Sequence, residues 1–370
     1  MDPTGAHPMT SLPINSNPSP SRGADGPESD RPRQSPWSLT KADLSALMSS
    51  EPNYRTDQLW EGLYTHGRPP DELSNLPKKL RQRLALQIEP RLVQSAVQLS
   101  KDNQTTKWLW TLPDGATIES VLMRYQRRNT VCLSSQAGCA MACGFCATGQ
   151  AGYKRNLQVG EILEQVAVAI RSTAPNRLSN VVFMGMGEPL ANFDRVLEAA
   201  HRITSDFGIG ARKVTISTIG LVPQIRRLAR EQLQIGLAVS LHAANNELRD
   251  QLIPINRRHN IEDLVDACVY YRDQTGRRVS FEWAMIDGVN DSEQDAKQLV
   301  RLARRTRAHV NLIPLNPTPG WPTKGSPIAT IRGFANNLEA ASIPVTIRDN
   351  RGTDIDAACG QLSASASPTR

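Results

Sequence analysis

Four of the six cysteines in this 370-residue chain lie within fifteen residues of one another. Cys139, Cys143 and Cys146 form a C-x3-C-x2-C loop, and Cys132 lies seven residues upstream of it. Three thiolates on one short loop can hold three irons of a 4Fe–4S cubane, which leaves the fourth iron open to a substrate. Zinc is the alternative, but it needs a fourth ligand, and no histidine lies within fifty residues of the loop. Cys132 could supply that ligand, although it lies inside a predicted strand.

Polar residues follow several later predicted strands. Met184-Gly185-Met186-Gly187-Glu188-Pro189 comes directly after the strand predicted at 180–184. Gly-x-Gly alone is a weak sign, and the third glycine of a dinucleotide site is missing, so a Rossmann methyltransferase fits poorly. Three further strand ends carry polar groups, where barrel sites are built: Ser217, Ser240-Leu241-His242 and Asn316. His242 taken alone is more often structural.

The two remaining cysteines differ from each other. Cys268 lies at helical spacing with Ile261, Leu264 and Val265, which indicates a core residue. Cys359 lies after the last predicted strand, between two glycines, in a loop that would otherwise be an ordinary C-terminal turn.

Composition limits the class of protein. Hydrophobic residues make up 39% of the chain, enough for a core, and six cysteines are too few for a disulfide scaffold. The net charge of +7 suggests a polyanionic partner. With no long apolar window and no signal-peptide pattern, we expect a cytoplasmic protein that spans no membrane. In that reducing compartment, clustered thiols indicate metal or redox chemistry.

The elements that must position these residues alternate in type from residue 130 onward. Strands are predicted at 130–134, 180–184, 213–217, 236–240, 279–284 and 309–313. Helices are predicted between them, at 160–172, 194–206, 224–231, 261–274 and 292–305. This alternation requires a parallel sheet with right-handed crossovers, in either an open doubly wound sheet or a partial barrel. The site chemistry favours the barrel.

Four segments follow from the pattern. Residues 1–36, with eight prolines and six serines, are predicted to be a disordered tail. Residues 37–92 are predicted to be a helical RNA-binding module. The cations of 78–83 either lie on a solvent-exposed helix face or bind phosphates of the RNA. Residues 93–350 hold a β-meander over 93–125 and then the barrel. Residues 351–370 are a C-terminal loop that carries Cys359.

The cysteine loop resembles that of the radical S-adenosylmethionine (SAM) superfamily, where it follows the first strand of a partial (β/α)6 barrel. Phe145 matches the aromatic residue usual before the last cysteine. The resemblance implies a 4Fe–4S cluster on Cys139, Cys143 and Cys146, whose open iron chelates SAM and cleaves it to a 5′-deoxyadenosyl radical. It also implies a set of SAM contacts: Gly187, Glu188, Ser217, Ser240, Leu241, His242 and Asn316.

Residues 37 to 362 as a whole resemble the RlmN-type RNA methyltransferases, most specifically over 131–139, 184–190 and 354–361. The resemblance implies methylation of adenine carbon 2 in 23S ribosomal RNA and, in dual-specificity members, in the tRNA anticodon loop. Carbon 2 is electron-poor and cannot attack a SAM methyl, whereas a thiolate can. By resemblance Cys359 accepts the methyl from one SAM, and a radical from a second SAM activates it for addition to carbon 2. Glu119 then takes the proton, and Cys132 releases the RNA by forming a transient disulfide.

Glu119 has modest support of its own, because it shares a strand face with the apolar Val121 and Met123, where a carboxylate can be desolvated. The alternative is an edge-strand glutamate that reaches solvent. Two rival functions also stay open: Cfr-type methylation of adenine carbon 8, and a non-catalytic zinc-stabilised RNA-binding protein. For the enzyme we expect a monomer and an electron donor such as a flavodoxin or ferredoxin.

Overall fold

The structure is a computed structural model that describes residues 33–318 and 321–363. Most of the predicted disordered tail, residues 1–32, therefore lies outside the described residues. From Gln34 onward the chain forms one compact unit. None of the described helices has the length and apolarity that a membrane crossing demands.

The N-terminal module consists of short helices, as the apolar spacing predicts. They are α1 (Lys41–Leu47), α2 (Asn53–Tyr64) and α3 (Lys78–Gln87). A capping box between Thr40 and Asp43 starts α1, because the two side chains bond each other's backbone N–H groups. The module has a buried apolar side, formed by Leu44, Met48, Leu59, Leu63, Leu80 and Leu84.

Two charged residues of the barrel helices fix this module in place. Glu164 accepts hydrogen bonds from the backbone N–H groups of Arg91 and Leu92, at 2.8 and 3.0 Å. Arg202 donates to the Leu39 carbonyl at 2.7 Å and to the Tyr64 hydroxyl. The module is therefore anchored to the barrel, while its RNA-binding role stays a prediction.

The predicted meander consists of β1 (Val93–Leu99), β2 (Thr105–Thr111) and β3 (Thr117–Tyr125), paired antiparallel. Trp108 and Trp110 of β2 are buried, whereas Val93, Val97 and Leu99 of the edge strand β1 are exposed. β3 pairs antiparallel with the first barrel strand and so joins the meander to the main sheet.

The barrel alternates strands and helices. Its elements are β4 (Arg128–Cys132), β5 (Gln136–Gly138), α4 (Ala147–Gln150), β6 (Tyr153–Asn156), α5 (Val159–Thr173), β7 (Asn180–Phe183), α6 (Phe193–Ser205), β8 (Val214–Thr218), α7 (Val222–Leu228), β9 (Gly236–Ser240), α8 (Asn246–Leu252), α9 (Ile261–Thr275), β10 (Val279–Met285), α10 (Glu293–Thr306), β11 (His309–Pro314), α11 (Ile328–Ala340) and β12 (Val345–Ile347). The main sheet has the order β1-β2-β3-β4-β7-β8-β9-β10-β11-β12, and every pair from β4 to β12 is parallel.

The six predicted core strands and five predicted helices are all present within a few residues of their predicted bounds. β1 and β12 are the two ends of the sheet, so the barrel is open on one side, as a partial barrel requires. The sequence reasoning missed α8, α11 and the small β5–β6 sheet beside the cysteine loop.

Candidate active site

The cysteine loop begins where β4 ends, at the carboxyl edge of the parallel sheet. Two residues in it adopt left-handed backbone, Gly138 at φ +74° and Ala142 at φ +53°. Gly144 lies against the ring of Trp321, where a Cβ atom would come within 2.1 Å of the ring carbons. The tight turns of this loop therefore bring its three thiols to the same cavity.

The three loop thiols fit a cluster. Cys143 is buried, Cys139 and Cys146 are half-buried, and all three line the same cavity. Burial raises the pKa of the Cys139 thiol to about 11, and burial together with the two neighbouring cysteines raises that of Cys143 well above its usual value. Within the described residues no three His, Cys, Asp or Glu side chains converge at single-ion distances. A cubane does not require that, because each thiolate binds its own iron.

Most of the predicted SAM contacts surround this cavity, whose volume is about 470 Å³. Lining it are Gly187, Glu188, Ser217, Ser240, His242 and Asn316. Gly187 has φ +98°, and a Cβ atom there would lie 2.5 Å from Cβ of Gln136. Only glycine fits this turn without displacing its neighbour. Leu241 lies apart from the set, since its side chain packs in the hydrophobic core.

Glu188 is buried and holds two loops together. Its carboxylate accepts hydrogen bonds from the backbone N–H groups of Leu190 and Ile219, at 3.0 and 2.9 Å. Burial raises the pKa of this carboxyl to about 7. The carboxylate oxygens keep further lone pairs, so the geometry is compatible with a cationic ligand group in the cavity.

His242 is a neutral ring in a left-handed backbone position, at φ +55°. Burial lowers its pKa to about 3. Its Nδ1 accepts a hydrogen bond from the backbone N–H of Ala284 at 2.9 Å, so the ring proton lies on Nε2. The ring meets Phe145 edge-on, with centroids 5.0 Å apart. The fold thus fixes both the tautomer and the orientation of this imidazole.

A buried arginine that the sequence reasoning missed positions the strand ends. Arg249 of α8 donates to the carbonyl oxygens of Ile219 at 2.6 Å and Leu241 at 3.1 Å. These carbonyls follow β8 and β9, the two strands that carry Ser217 and Ser240 near their carboxyl ends. Since α8 has few apolar residues, little in the sequence could have indicated this role.

The loop of Cys359 reaches the same cavity. Asn316 donates to the Cys359 carbonyl at 3.1 Å, and the Ala147 N–H, one residue after the last cluster cysteine, donates to the Gly360 carbonyl at 2.8 Å. Cys359 is exposed, and it lines the cavity together with Cys132. Burial raises the pKa of Cys132 to about 12, and the nearby Cys359 adds to the shift. Asn316 therefore holds the Cys359 loop, besides its predicted contact with SAM.

Glu119 is buried outside the cavity lining, with 1% of its side chain exposed. The alternative in which it reaches solvent is thus wrong. Its carboxylate forms an ion pair with Lys107 at 3.0 Å and accepts the backbone N–H of Ser363 at 2.9 Å. Lys107 also donates to the Asp356 carbonyl at 3.3 Å. The pair fastens the C-terminal segment to the meander, and its catalytic role stays a prediction.

The sequence reasoning also missed a polar group that lines the cavity, Glu282. Glu282 of β10 accepts hydrogen bonds from Ser280 at 3.0 Å and Asn311 at 2.8 Å, and it lies 3.5 Å from the guanidinium of Arg348. Burial raises the pKa of the Cys359 thiol to about 11, as it raises that of Cys132, and the nearby Arg348 partly opposes both shifts. Ser280 and Glu282 alternate with apolar residues in β10, and that period was the available signal.

Comparison with known proteins agrees with this geometry. A family model described as the radical SAM superfamily matches residues 133–300. A solved radical SAM methyltransferase from Sphaerobacter thermophilus is 45% identical, with a TM-score of 0.86, and covers 90% of this chain and 100% of its own. The partial barrel and the thiol loop thus define a radical SAM enzyme, with a 4Fe–4S cluster and SAM as its cofactors.

Curated relatives narrow the class further. A protein of Mycolicibacterium paratuberculosis named "Probable dual-specificity RNA methyltransferase RlmN" is 50% identical over 353 residues, which is 90% of this chain and 96% of the relative. One of the same name from Mycobacterium marinum is 51% identical over 327 residues, 85% of this chain and 89% of the relative. The chain belongs to the RlmN family of radical SAM RNA methyltransferases. This membership decides against the non-catalytic zinc-stabilised alternative.

Proposed function

We propose that this enzyme methylates carbon 2 of an adenine in 23S ribosomal RNA, and of an adenine in the tRNA anticodon loop. The observation that supports the proposal is that two further cysteines, Cys132 and Cys359, line the same cavity as the three cysteines of the loop. A methyltransferase that moves the methyl directly from SAM to its substrate has no use for them. The relatives are named dual-specificity RNA methyltransferases, which agrees with more than one RNA substrate.

The residues of the chain divide the work. When bound, the cluster and SAM supply a methyl group and a 5′-deoxyadenosyl radical, and we expect two SAM molecules per turnover. Cys359 carries the methyl carbon, because it lines the cavity while Asn316 holds its own carbonyl and Ala147 holds that of Gly360. Arg348 stabilises the negative charge that each thiol must acquire to react.

Cys132 and Glu119 complete the cycle in this proposal. The family resemblance assigns Glu119 the proton of carbon 2 after the methylene carbon of Cys359 has bonded to the base, although its carboxylate lies outside the cavity lining. Cys132 then attacks the sulfur of Cys359 and breaks its bond to the methylene carbon. That carbon takes up a proton as the methylated RNA leaves, and a disulfide joins the two residues. An electron donor such as a flavodoxin or ferredoxin supplies electrons for the reaction.

The test of the proposal is Cys132→Ala. Without the attacking thiol, we expect RNA to stay covalently attached to Cys359 and to migrate with the protein on a denaturing gel. Cys268→Ala is the matched control, because Cys268 is fully buried in the core, as its spacing predicts. RNA released freely from Cys132→Ala after turnover would contradict the role of Cys132.

The position of the methyl group is tested separately on the wild-type product. Mass spectrometry of digested ribosomal RNA and of digested tRNA should locate the new methyl on adenine carbon 2 in both. A methyl on carbon 8 would establish the Cfr-type alternative, and unmodified tRNA would limit the substrate to ribosomal RNA.

A further inference from the structure

A stack of two arginines on one tyrosine lies at the edge of the active-site cavity. The guanidinium carbons of Arg128 and Arg351 are 4.5 and 4.4 Å from the centroid of the Tyr125 ring. The three residues come from the end of β3, the start of β4 and the segment after β12, and all of them line the cavity. The function proposed above assigns no role to these three residues.

The stack marks the end of the cavity that lies away from the cluster loop. β4 runs from Arg128 to Cys132, a separation of roughly 13 Å along a strand. At the Cys132 end, the C-terminal segment covers the loop: the Thr148 hydroxyl donates to the Leu362 carbonyl at 2.5 Å. At the other end the Arg128 side chain is exposed. The arginine stack is therefore an exposed edge of the cavity.

The two arginines are prepared to bind an anion. Within residues 33–318 and 321–363, neither forms an ion pair with a carboxylate, although Arg351 adds to the hydrogen bonds from Ser100 and Gln104 that lower the pKa of Asp102. The Nε–H of Arg351 is buried without a hydrogen-bond acceptor, while its Nη1 donates to the Arg124 carbonyl at 3.3 Å. Stacking on Tyr125 holds both planar groups in fixed orientations, which suits bidentate binding of phosphate oxygens.

We propose that Arg128 and Arg351 bind backbone phosphates of the RNA beside the target adenine, so that the base enters the cavity from the start of β4. The inference rests on the function proposed above, since it needs an RNA substrate. Enzymes that modify a base take it out of its stack, and the flanking backbone must then be held in place. Tyr125 positions the two guanidiniums and does not itself take part in the reaction.

The test measures RNA binding and protein methylation separately. The probe is a fluorescein-labelled RNA hairpin with an unpaired adenine in its loop, titrated anaerobically with the reconstituted holoenzyme. For Arg128→Ala we expect the Kd to rise about tenfold, because one charge-assisted hydrogen bond to the RNA is lost. The slope of log Kd against log salt should fall by about 0.7, as for one lost phosphate contact on single-stranded RNA. Arg128→Lys should keep most of that slope.

Controls separate this inference from the proposed function. Arg301→Ala removes an exposed arginine from the outer helix α10 and should leave both the Kd and the slope unchanged. Methylation of Cys359 by SAM without RNA, read by protein mass, should be unaffected in Arg128→Ala. Tyr125→Phe should bind RNA as the wild type does, and Tyr125→Leu should bind it more weakly.

Two results would overturn the phosphate site. One is an unchanged Kd and salt slope in both Arg128→Ala and Arg351→Ala. The other is a loss of Cys359 methylation in these variants with RNA binding intact, which would make the stack only a fastening of the C-terminal segment. Failure of the wild type to methylate any RNA would instead contradict the proposed function, and the binding titration would still report on the arginines.

Discussion

Replacing Lys107 by methionine should expose how strongly the buried pair with Glu119 supports the C-terminal segment. The ammonium and the carboxylate are 3.0 Å apart, with 5% and 1% of the two side chains exposed. Methionine keeps much of the length of lysine but removes the charge. The substitution removes the positive charge of Lys107 from beside the buried Glu119, which stays bonded to Ser363.

The expected loss follows from that geometry. Unit charges 3.0 Å apart attract each other by about 5.5 kcal/mol at an effective dielectric constant of about 20. Removing one partner of a buried pair costs about 3–5 kcal/mol, because the other charge stays desolvated. We therefore expect Lys107→Met to lower the free energy of unfolding by about 3–5 kcal/mol. Lys107→Met combined with Glu119→Gln should recover much of this loss.

Anaerobic urea unfolding, followed by tryptophan fluorescence, measures the double-mutant cycle. Lys297→Met is the matched control: its ion pair with Glu293 is exposed at 66% and 69%, so its loss should cost less than about 1 kcal/mol. If Lys107→Met were as stable as this control, or if the cycle were additive within about 0.5 kcal/mol, the pair would not support the segment.

Three further perturbations address the SAM side of the site. Gly187→Ala should abolish SAM binding in equilibrium dialysis, since a Cβ atom would lie 2.5 Å from Gln136 Cβ at φ +98°; binding within twofold of wild type would contradict the tight fit. Arg249→Lys should raise the Kd for SAM, because an ammonium cannot reproduce its bonds to carbonyls after both β8 and β9, and an unchanged Kd would refute that positioning role. Burial lowers the pKa of His242 to about 3, so below pH 6.5 the unfolded state binds more protons than the folded state. The contribution of His242 to the free energy of unfolding therefore falls by about 1.4 kcal/mol for each pH unit of acidification. Burial raises the pKa of Glu188, so its contribution to stability changes with pH in the opposite direction. The measurement is therefore the difference in unfolding free energy between the wild type and His242→Asn, followed from pH 6.5 to 5. A difference that does not change with pH would contradict the buried neutral ring.

The barrel was predictable because its strands are short apolar runs separated by helical periods, and local pattern sets both kinds of element. The thiol loop and the polar strand ends were predictable because parallel strands bring their carboxyl ends to one edge. α11 had a visible signal as well, with Ile331, Phe334 and Leu338 at helical spacing, and it was overlooked.

Other features depend on tertiary contacts between distant parts of the chain. The bond from Asn316 to Cys359 joins residues 43 positions apart, and the pair of Lys107 with Glu119 depends on the pairing of β2 with β3. Neither residue type nor spacing indicates such partners. Arg249 was equally hidden, because a buried arginine whose partners are carbonyl oxygens leaves no pattern in the sequence.

Two hydrogen bonds of the C-terminal segment set the position of the Cys359 sulfur. Asp354 is tied to the backbone of Lys101 at 2.8 Å, and Gly360 is tied to Ala147 at 2.8 Å, with Cys359 between the two ties. Adding or removing a single residue there would shift the sulfur along the cavity by the length of one residue, while the ties stay where they are. We therefore expect this stretch to tolerate substitutions far better than changes in length.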